Sequence, residues 1–223
     1  MKRSRGRRRV RRLRPENKPL GAAPGTFYVP EGSLAPSLAA LVVHADRVEE
    51  HSLEPSQLTE LRDEARRGGG LLWIDCVGRD AAVLEALCEC FALHRLAVED
   101  VASGLQRPKV EAFADHHFAV LRRFWHPDES EELHSEQVSL FFGKGFVVSV
   151  REQVSECFAP VVKRIHGGRG RLRSGASTYL AYALLDTIVD GYFPLVEGYG
   201  ERIDRLEDAI LEQPRATLLR PAR

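Results

Sequence analysis

The sequence predicts an α/β fold: an αβα sandwich with a mixed parallel/antiparallel sheet, followed by one long amphipathic acidic helix. Three observations support this prediction. The continuous apolar segment 71–77 is typical of a central strand that is buried on both faces. Two pairs of short strands with turns between them follow, which indicates an antiparallel part of the sheet. Helical patterns flank both groups of strands, so we expect helices to cover the sheet.

The N-terminal half of the chain is predicted to alternate strands with helices. Pro, Gly and Ala in segment 15–25 predict a linker. We then expect strands at 26–29, 38–45 and 71–77, a helix at 55–67 that Ser56 caps and Gly68 to Gly70 end, and a helix capped by Asp80 that runs to Phe91.

The C-terminal half is predicted to contain two hairpins and then helices. One hairpin pairs 109–114 with 117–125, and the second pairs 136–142 with 146–150 across Gly143, Lys144 and Gly145. A helix is expected at 154–166, and one long helix at 177–212 that ends before Pro214.

Composition and motifs exclude several classes of protein. The 223 residues are 43% hydrophobic and 29% charged, as in an ordinary globular protein with a sizeable core. No segment reaches the ~18 apolar residues that a membrane span requires. Four cysteines without a CxxC pair indicate a reduced, cytosolic chain. Phosphate-loop, dinucleotide, nucleophile-elbow and zinc-protease motifs are absent, so no enzyme activity is predicted.

The charge of the chain is unevenly distributed. Residues 1–18 contain ten Lys or Arg and one acid, Glu16, whereas the remaining residues contain 22 basic and 31 acidic side chains. Such a basic tail is expected to be disordered. It is either a solvated leader or a contact for nucleic acid or an anionic membrane surface. The acidic body argues against a nucleic-acid-binding domain, so no nucleic-acid partner is expected.

The predicted long helix has an acidic ridge opposite an apolar face. At about 100° per residue, six carboxylates fall within one narrow sector: Asp186, Asp190, Glu197, Glu201, Asp204 and Asp208. The apolar face runs from Leu184 to Ile210. The ridge is either the solvated face of an amphipathic helix or a site that attracts cations, with oxygen ligands suited to magnesium or calcium.

Three further groups of residues could carry chemistry. Cys88, Cys90 and His94 are close in sequence, but the two cysteines point in different directions on a helix, which favours buried small side chains over a zinc site. His116 and His117 are expected at the surface. The adjacent acids Glu99 and Asp100 at a helix end are either local caps or contacts to two different neighbours.

Several motifs resemble the cytoplasmic domain of CorA-type magnesium channels, over about 190 residues. They are "PGT" at Pro24, "WIDCVG" at Trp73, "HRLAVEDV" at His94, "QRPKVEAF" at Gln106, "SEQVSLFF" at Ser135 and "YLAYALLDTIVDGYF" at Tyr179. The resemblance implies a homopentamer in which Mg²⁺ bound between cytoplasmic domains holds a membrane pore closed. It implies Asp100 as a regulatory metal ligand, and Glu99 with Asp186 as ligands of a neighbouring cation site.

The resemblance also implies a division of the chain. We expect a disordered basic tail and linker at 1–24, a CorA-like αβα cytoplasmic domain at 25–173, a long helix of the family's "willow" type at 174–213 and a C-terminal tail at 214–223. The family's stalk, its two membrane helices and its GMN-type loop have no counterpart among the 223 residues. A membrane contact is therefore expected only through such a missing part, and the chain alone is expected to be soluble and cytoplasmic.

Alternatives remain open at this point. The transported ion could be Mg²⁺, Co²⁺ or Zn²⁺, because the pore that selects it is not in the sequence, so a ZntB-like zinc transporter domain fits as well. A stand-alone soluble interaction protein that kept the fold and lost transport is the alternative from another class. A shortened gene product and a natural fragment look the same in sequence.

Overall fold

A seven-stranded mixed sheet forms the centre of the protein. The computed structural model describes residues 21–104, 106–127, 132–168, 171–173 and 176–212. The strands are β1 (Ser37–Val43), β2 (Val48–Leu53), β3 (Leu71–Val77), β4 (Lys109–Ala112), β5 (His116–Trp125), β6 (His134–Gly143) and β7 (Phe146–Arg151). Their order across the sheet is β2-β1-β3-β7-β6-β5-β4. β3 pairs parallel with β7 and the other neighbouring strands pair antiparallel, which confirms the predicted mixed sheet.

Helices cover both faces of this sheet, so the predicted αβα sandwich is confirmed. They are α1 (Leu58–Arg67), α2 (Ala81–Phe91), α3 (Arg95–Ser103), α4 (Ala159–His166), α5 (Ser177–Asp190) and α6 (Tyr192–Glu212). Apolar residues of α1, α2 and α3 share one core with the sheet, and those of α4 and α5 share the other. Strand β3 supplies both cores because alternate side chains point to opposite faces: Ile74 lies in the first core and Trp73 in the second.

Two predictions about strands need correction. Residues 26–29 form no strand, although Phe27 is buried in the core of α1–α3. Strand β2 was not predicted, because its sequence VEEHSL is mostly polar; it pairs with β1 at the edge of the sheet, where a half-exposed strand needs little apolar surface.

Helix starts differ from the prediction in two places. Ser56 does not cap a helix; Glu54 precedes a 3₁₀ turn at Pro55–Gln57, and the Gln57 side chain accepts a hydrogen bond from the Glu54 N–H. Helix α4 begins at Ala159 rather than at residue 154. The predicted cap at Asp80 is confirmed, because its Oδ1 accepts hydrogen bonds from the backbone N–H groups of Ala82 and Val83.

The predicted long helix is present but interrupted at Gly191, between α5 and α6. Pro194 explains the break, since it has no N–H to donate to the carbonyl of Asp190 and its ring crowds that carbonyl. Among the helices that the structure describes, none combines the length and the hydropathy that a bilayer-spanning segment needs. The predicted tail at 214–223 and most of the one at 1–24 lie outside the described residues.

Candidate cation-binding site

Helix α3 places the two adjacent acids at the edge of the first core. Its residues Ala97, Val98, Val101 and Ala102 are buried against the sheet and α2. Glu99 and Asp100 lie between these buried positions and are half-buried. The helix ends at Gly104 in the left-handed conformation, with φ 66°, which a glycine adopts without strain.

An open cavity of about 640 Å³ separates α3 from the edge strand β4. Strand β4 alternates in exposure, so Lys109 and Glu111 point to the same side as α3 while Val110 points away and is 68% exposed. The residues that line the cavity are His94, Leu96, Ala97, Glu99, Asp100, Lys109, Glu111, Ala112 and Phe113.

The ammonium group of Lys109 joins two of the acids in this cavity. Its Nζ lies 2.6 Å from Oδ2 of Asp100 and 3.0 Å from Oε1 of Glu111. It also lies 5.6 Å from the centre of the Phe118 ring. Partial burial lowers the pKa of Lys109, but the hydrogen bonds to Asp100 and Glu111 outweigh this effect, so the pKa is raised. Lys109 is therefore a firmly charged partner of both carboxylates.

Glu99 is held by the segment that leads into the domain. Its Oε2 accepts a hydrogen bond from the Gly25 N–H at 2.6 Å. Arg95 donates from Nη2 to the Gly25 carbonyl at 3.2 Å and pairs with Glu85. Gly25 is buried with φ 78°, and a Cβ there would lie 3.2 Å from the Cβ of Arg95. This position therefore requires glycine, and it ties the N-terminal segment to the site.

Asp186, the third predicted ligand, lies on the other side of the sheet. Its helix α5 packs in the second core through Leu180, Leu184 and Ile188, whereas α3 packs in the first. Asp186 raises the pKa of the exposed Tyr182 through its charge and a hydrogen bond. One chain therefore brings Glu99 and Asp100 together and does not bring Asp186 to them.

The remaining sequence candidates have other surroundings. Cys88 and Cys90 are buried in the first core as expected, and burial raises the pKa of both thiols. Most of the acidic ridge is exposed on α6 and the end of α5, with Asp186 half-buried. Within the described ranges, no three or more His, Cys, Asp or Glu side chains form a group that could hold a metal ion.

The prediction for His116 is wrong, whereas His117 is exposed as expected. His116 is 5% exposed and stacks on Phe113, and its Nε2 accepts a hydrogen bond from the backbone N–H of His94 at the start of α3. Burial is the main reason that the pKa of His116 is lowered, which favours the neutral ring that can accept this bond. Alternation along β5 predicts that one of two adjacent histidines points inward, and this signal was available in the sequence.

The donor set of the cavity suits a hard divalent cation. Glu99, Asp100 and Glu111 line the cavity with carboxylate oxygens, which Mg²⁺ and Ca²⁺ prefer, but the three do not converge into a ligand set within one chain; no soft ligand such as a thiol lines the cavity among the described residues. The sequence interpretation missed Glu111, Lys109 and Gly25 as members of the site. The spacing of Lys109 and Glu111 predicts a shared face of β4, but not that this face meets α3.

Comparisons with known proteins identify relatives with the same fold, and the part of the chain that they match includes α3 and β4. The family model described as "CorA-like Mg2+ transporter protein" matches residues 68–221. The cobalt/magnesium transport protein CorA of Thermotoga maritima is 41% identical over 143 residues, which cover 64% of this chain and 41% of that protein. This chain thus spans less than half the length of that relative.

The fold resembles that of several solved structures, of which two serve as examples. The full-length CmaX protein superposes with a TM-score of 0.64 at 17% identity, over 84% of this chain and 55% of that one. The soluble domain of CorA from Methanocaldococcus jannaschii superposes with a TM-score of 0.56 at 18% identity, over 81% of this chain and 67% of that one. At these identities the likeness concerns the fold alone.

Proposed function

The chain belongs to the CorA-like family of Mg²⁺ transporter proteins, and on that premise we propose that it is the cytoplasmic divalent-cation-sensing domain of a magnesium and cobalt ion transporter. Mg²⁺ binds between neighbouring copies in a homopentamer and favours the closed state of a membrane pore. The Thermotoga maritima relative is a cobalt/magnesium transport protein, which supports the choice of ions.

The observation that carries this proposal is the set of charged groups around the Asp100 carboxylate. It lies in an open cavity with Glu99 and Glu111, and it already holds a cation, the Lys109 ammonium, at 2.6 Å. Three carboxylates line this cavity together with one ammonium, which contacts two of them, and the resulting excess of negative charge favours a divalent cation. Glu99 and Asp100 are thus proposed as ligands, while Glu111 adds negative charge to the cavity and stays paired with Lys109.

The positions of Glu99 and Asp186 support a site between copies. They lie on opposite layers of the sandwich, so one cation can contact both only if α3 of one copy meets α5 of the next. Such a contact joins two different surfaces, and repeated contacts of this kind close into a ring when the rotation allows. A cation bound there stabilises the ring only to the extent that it binds the closed arrangement more tightly.

A magnesium titration of the chain and of matched carboxylate variants tests the proposal. We expect weak binding, with a dissociation constant of about 1 mM or more, because a cavity open to water competes poorly with the hydration shell of Mg²⁺. Asp100→Asn is expected to weaken binding at least about fivefold, since it removes one charge from the ligand set. Asp46→Asn, whose exposed carboxylate lies in the β1–β2 turn, is the control and is expected to bind as the unmodified chain does.

Three outcomes would count against the proposal. Submicromolar binding would indicate a complete site within one chain, and an affinity that Asp100→Asn leaves unchanged would place the cation elsewhere. A preference for Zn²⁺ over Mg²⁺ in a parallel titration would favour a zinc transporter domain instead. The stability of Asp100→Asn is a separate check: loss of its partly exposed ion pair with Lys109 is expected to cost no more than about 1 kcal/mol.

A further inference from the structure

The ammonium of Lys109 occupies Oδ2 of Asp100, one of the two oxygens that a cation bound to this carboxylate would contact. Its Nζ is 2.6 Å from Oδ2 of Asp100, which is the distance of a strong charge-assisted hydrogen bond. The side chains of the pair are only 28% and 25% exposed, so water screens them less than it screens a surface ion pair. An incoming cation therefore meets a carboxylate whose charge is already partly neutralised.

We propose that Lys109 is the built-in counter-ion of this site, which a divalent cation must displace from Asp100, so that Lys109 sets the cation concentration at which the site fills. This inference rests on the proposed function, since it concerns the same carboxylates. It adds a residue that determines affinity without being a ligand of the metal.

The geometry around Lys109 makes displacement feasible. The Nζ also donates a hydrogen bond to Oε1 of Glu111 at 3.0 Å, and it lies 5.6 Å from the centre of the Phe118 ring. When a divalent cation binds the Asp100 carboxylate, the ammonium keeps Glu111 and the Phe118 ring as partners and does not become a buried unpaired charge. Asp100 therefore exchanges the ammonium of Lys109 for the divalent cation, and no closed site has to open.

Asp100 itself stays in place during such an exchange. Its backbone carbonyl accepts a hydrogen bond from Nε2 of Gln137 at 3.2 Å, and Gln137 is 2% exposed on β6. The Oε1 of Gln137 in turn accepts from the Gln106 N–H at 2.9 Å. The carboxylate is thus carried by a fixed turn of α3, and the flexible four-carbon chain of Lys109 is the part that moves.

Substitution of Lys109 tests this role. In Lys109→Met, which keeps the length and loses the charge, we expect magnesium to bind about fivefold to tenfold more tightly, because no ammonium competes for Asp100. Lys109→Arg keeps the charge and is expected to bind no more tightly than the unmodified chain. Lys144→Met is the matched control, because it removes the same charge from the exposed β6–β7 turn, about 20 Å along β6 from Gln137.

A direct measurement of the lysine separates this inference from the proposed function. The Lys109 Cε resonance is followed by NMR while magnesium chloride is added, with sodium chloride at matched ionic strength as the control for screening. Displacement predicts that the Lys109 resonance and the α3 amide resonances move with the same midpoint. It also predicts that, in metal-free Asp100→Asn, the Lys109 Cε resonance already has the chemical shift of the displaced state.

Each outcome has a distinct meaning. If the α3 amides respond to magnesium while Lys109 does not, or if Lys109→Met binds no more tightly, the counter-ion role is wrong and the sensing function stands. If neither the α3 amides nor Lys109 respond at saturating magnesium, the proposed site and the counter-ion role are both wrong.

Discussion

Helices α5 and α6 come from one amphipathic pattern but have very different surroundings. In α5, Leu180, Leu184 and Ile188 are buried in the second core, against β5, β6 and β7. In α6 no residue is buried, and its apolar side chains Ile203 and Leu206 are 62% and 51% exposed. The comparison shows that a period of 3.6 residues predicts a helix and its apolar face, but not the surface that covers that face.

Contacts at its first residue hold α6 to the domain, and glycines weaken the rest of the helix. Tyr192 still contacts the domain, since its hydroxyl donates to the Arg122 carbonyl and its ring meets Phe124 edge-on. Beyond Tyr192, the helix contains Gly198 and Gly200, and a Cβ at either position would meet no atom within 4 Å. Each of these glycines weakens a helix interior by roughly 1 kcal/mol relative to Ala. Helix α6 therefore depends on partners for stability more than α5 does.

The largest expected difference between the two helices is in amide hydrogen exchange. Buried amides of α5 such as those of Leu184 and Ile188 are expected to exchange only through global unfolding, whereas those of Ile203 and Leu206 open locally. We expect protection factors to differ by at least about a thousandfold in dilute protein. Sedimentation over a concentration series provides the control, because an exposed apolar face of this kind promotes association.

One result would break this contrast, and another would sharpen it. Strong protection of 199–212 in a strict monomer would mean that α6 is stable without a partner. Protection that rises together with association would sharpen it, because it would identify the apolar face of α6 as the contact between copies.

A second difference is expected when a leucine is shortened in each helix. Leu184→Ala removes a side chain that is fully buried in the second core and is expected to lower the free energy of unfolding by about 3 kcal/mol. Leu206→Ala makes the same chemical change at a half-exposed position of α6 and is expected to change it by less than about 0.5 kcal/mol. Urea unfolding with a shared m-value measures both. Equal losses in the two variants would mean that α6 belongs to the cooperative unit.

The fold was largely predictable because its signals are local. The apolar run of β3, the glycine turn between β6 and β7 and the Asp80 cap each depend on neighbours in sequence. Strand β2 was missed because an edge strand tolerates polar residues, and its register comes from pairing with β1. The break at Gly191 could have been predicted, since Pro194 removes a hydrogen bond from any helix that continues through it.

The candidate site was less predictable because it depends on distant contacts. Resemblance to a known family pointed to Glu99, Asp100 and Asp186, but it does not reveal what each carboxylate contacts. The Gly25–Glu99 hydrogen bond joins positions 74 residues apart, and the Lys109–Asp100 pair requires α3 to pack beside the edge strand β4. Neither contact has a pattern in local sequence, since both result from the way the helices cover the sheet.

The smallest expected effect comes from replacing the glycines of α6. Gly198→Ala together with Gly200→Ala is expected to raise the helical circular-dichroism signal and slow exchange in 199–212, because each alanine favours the helix by roughly 1 kcal/mol. The free energy of global unfolding is expected to change by less than about 0.5 kcal/mol, since α6 buries no residue against the domain. The reverse change in α5, Ala183→Gly, is the control: that residue is 1% exposed, and the variant is expected to lose at least about 1 kcal/mol of global stability. A double glycine variant that raised global stability by as much as Ala183→Gly lowers it would show that α6 folds together with the sandwich.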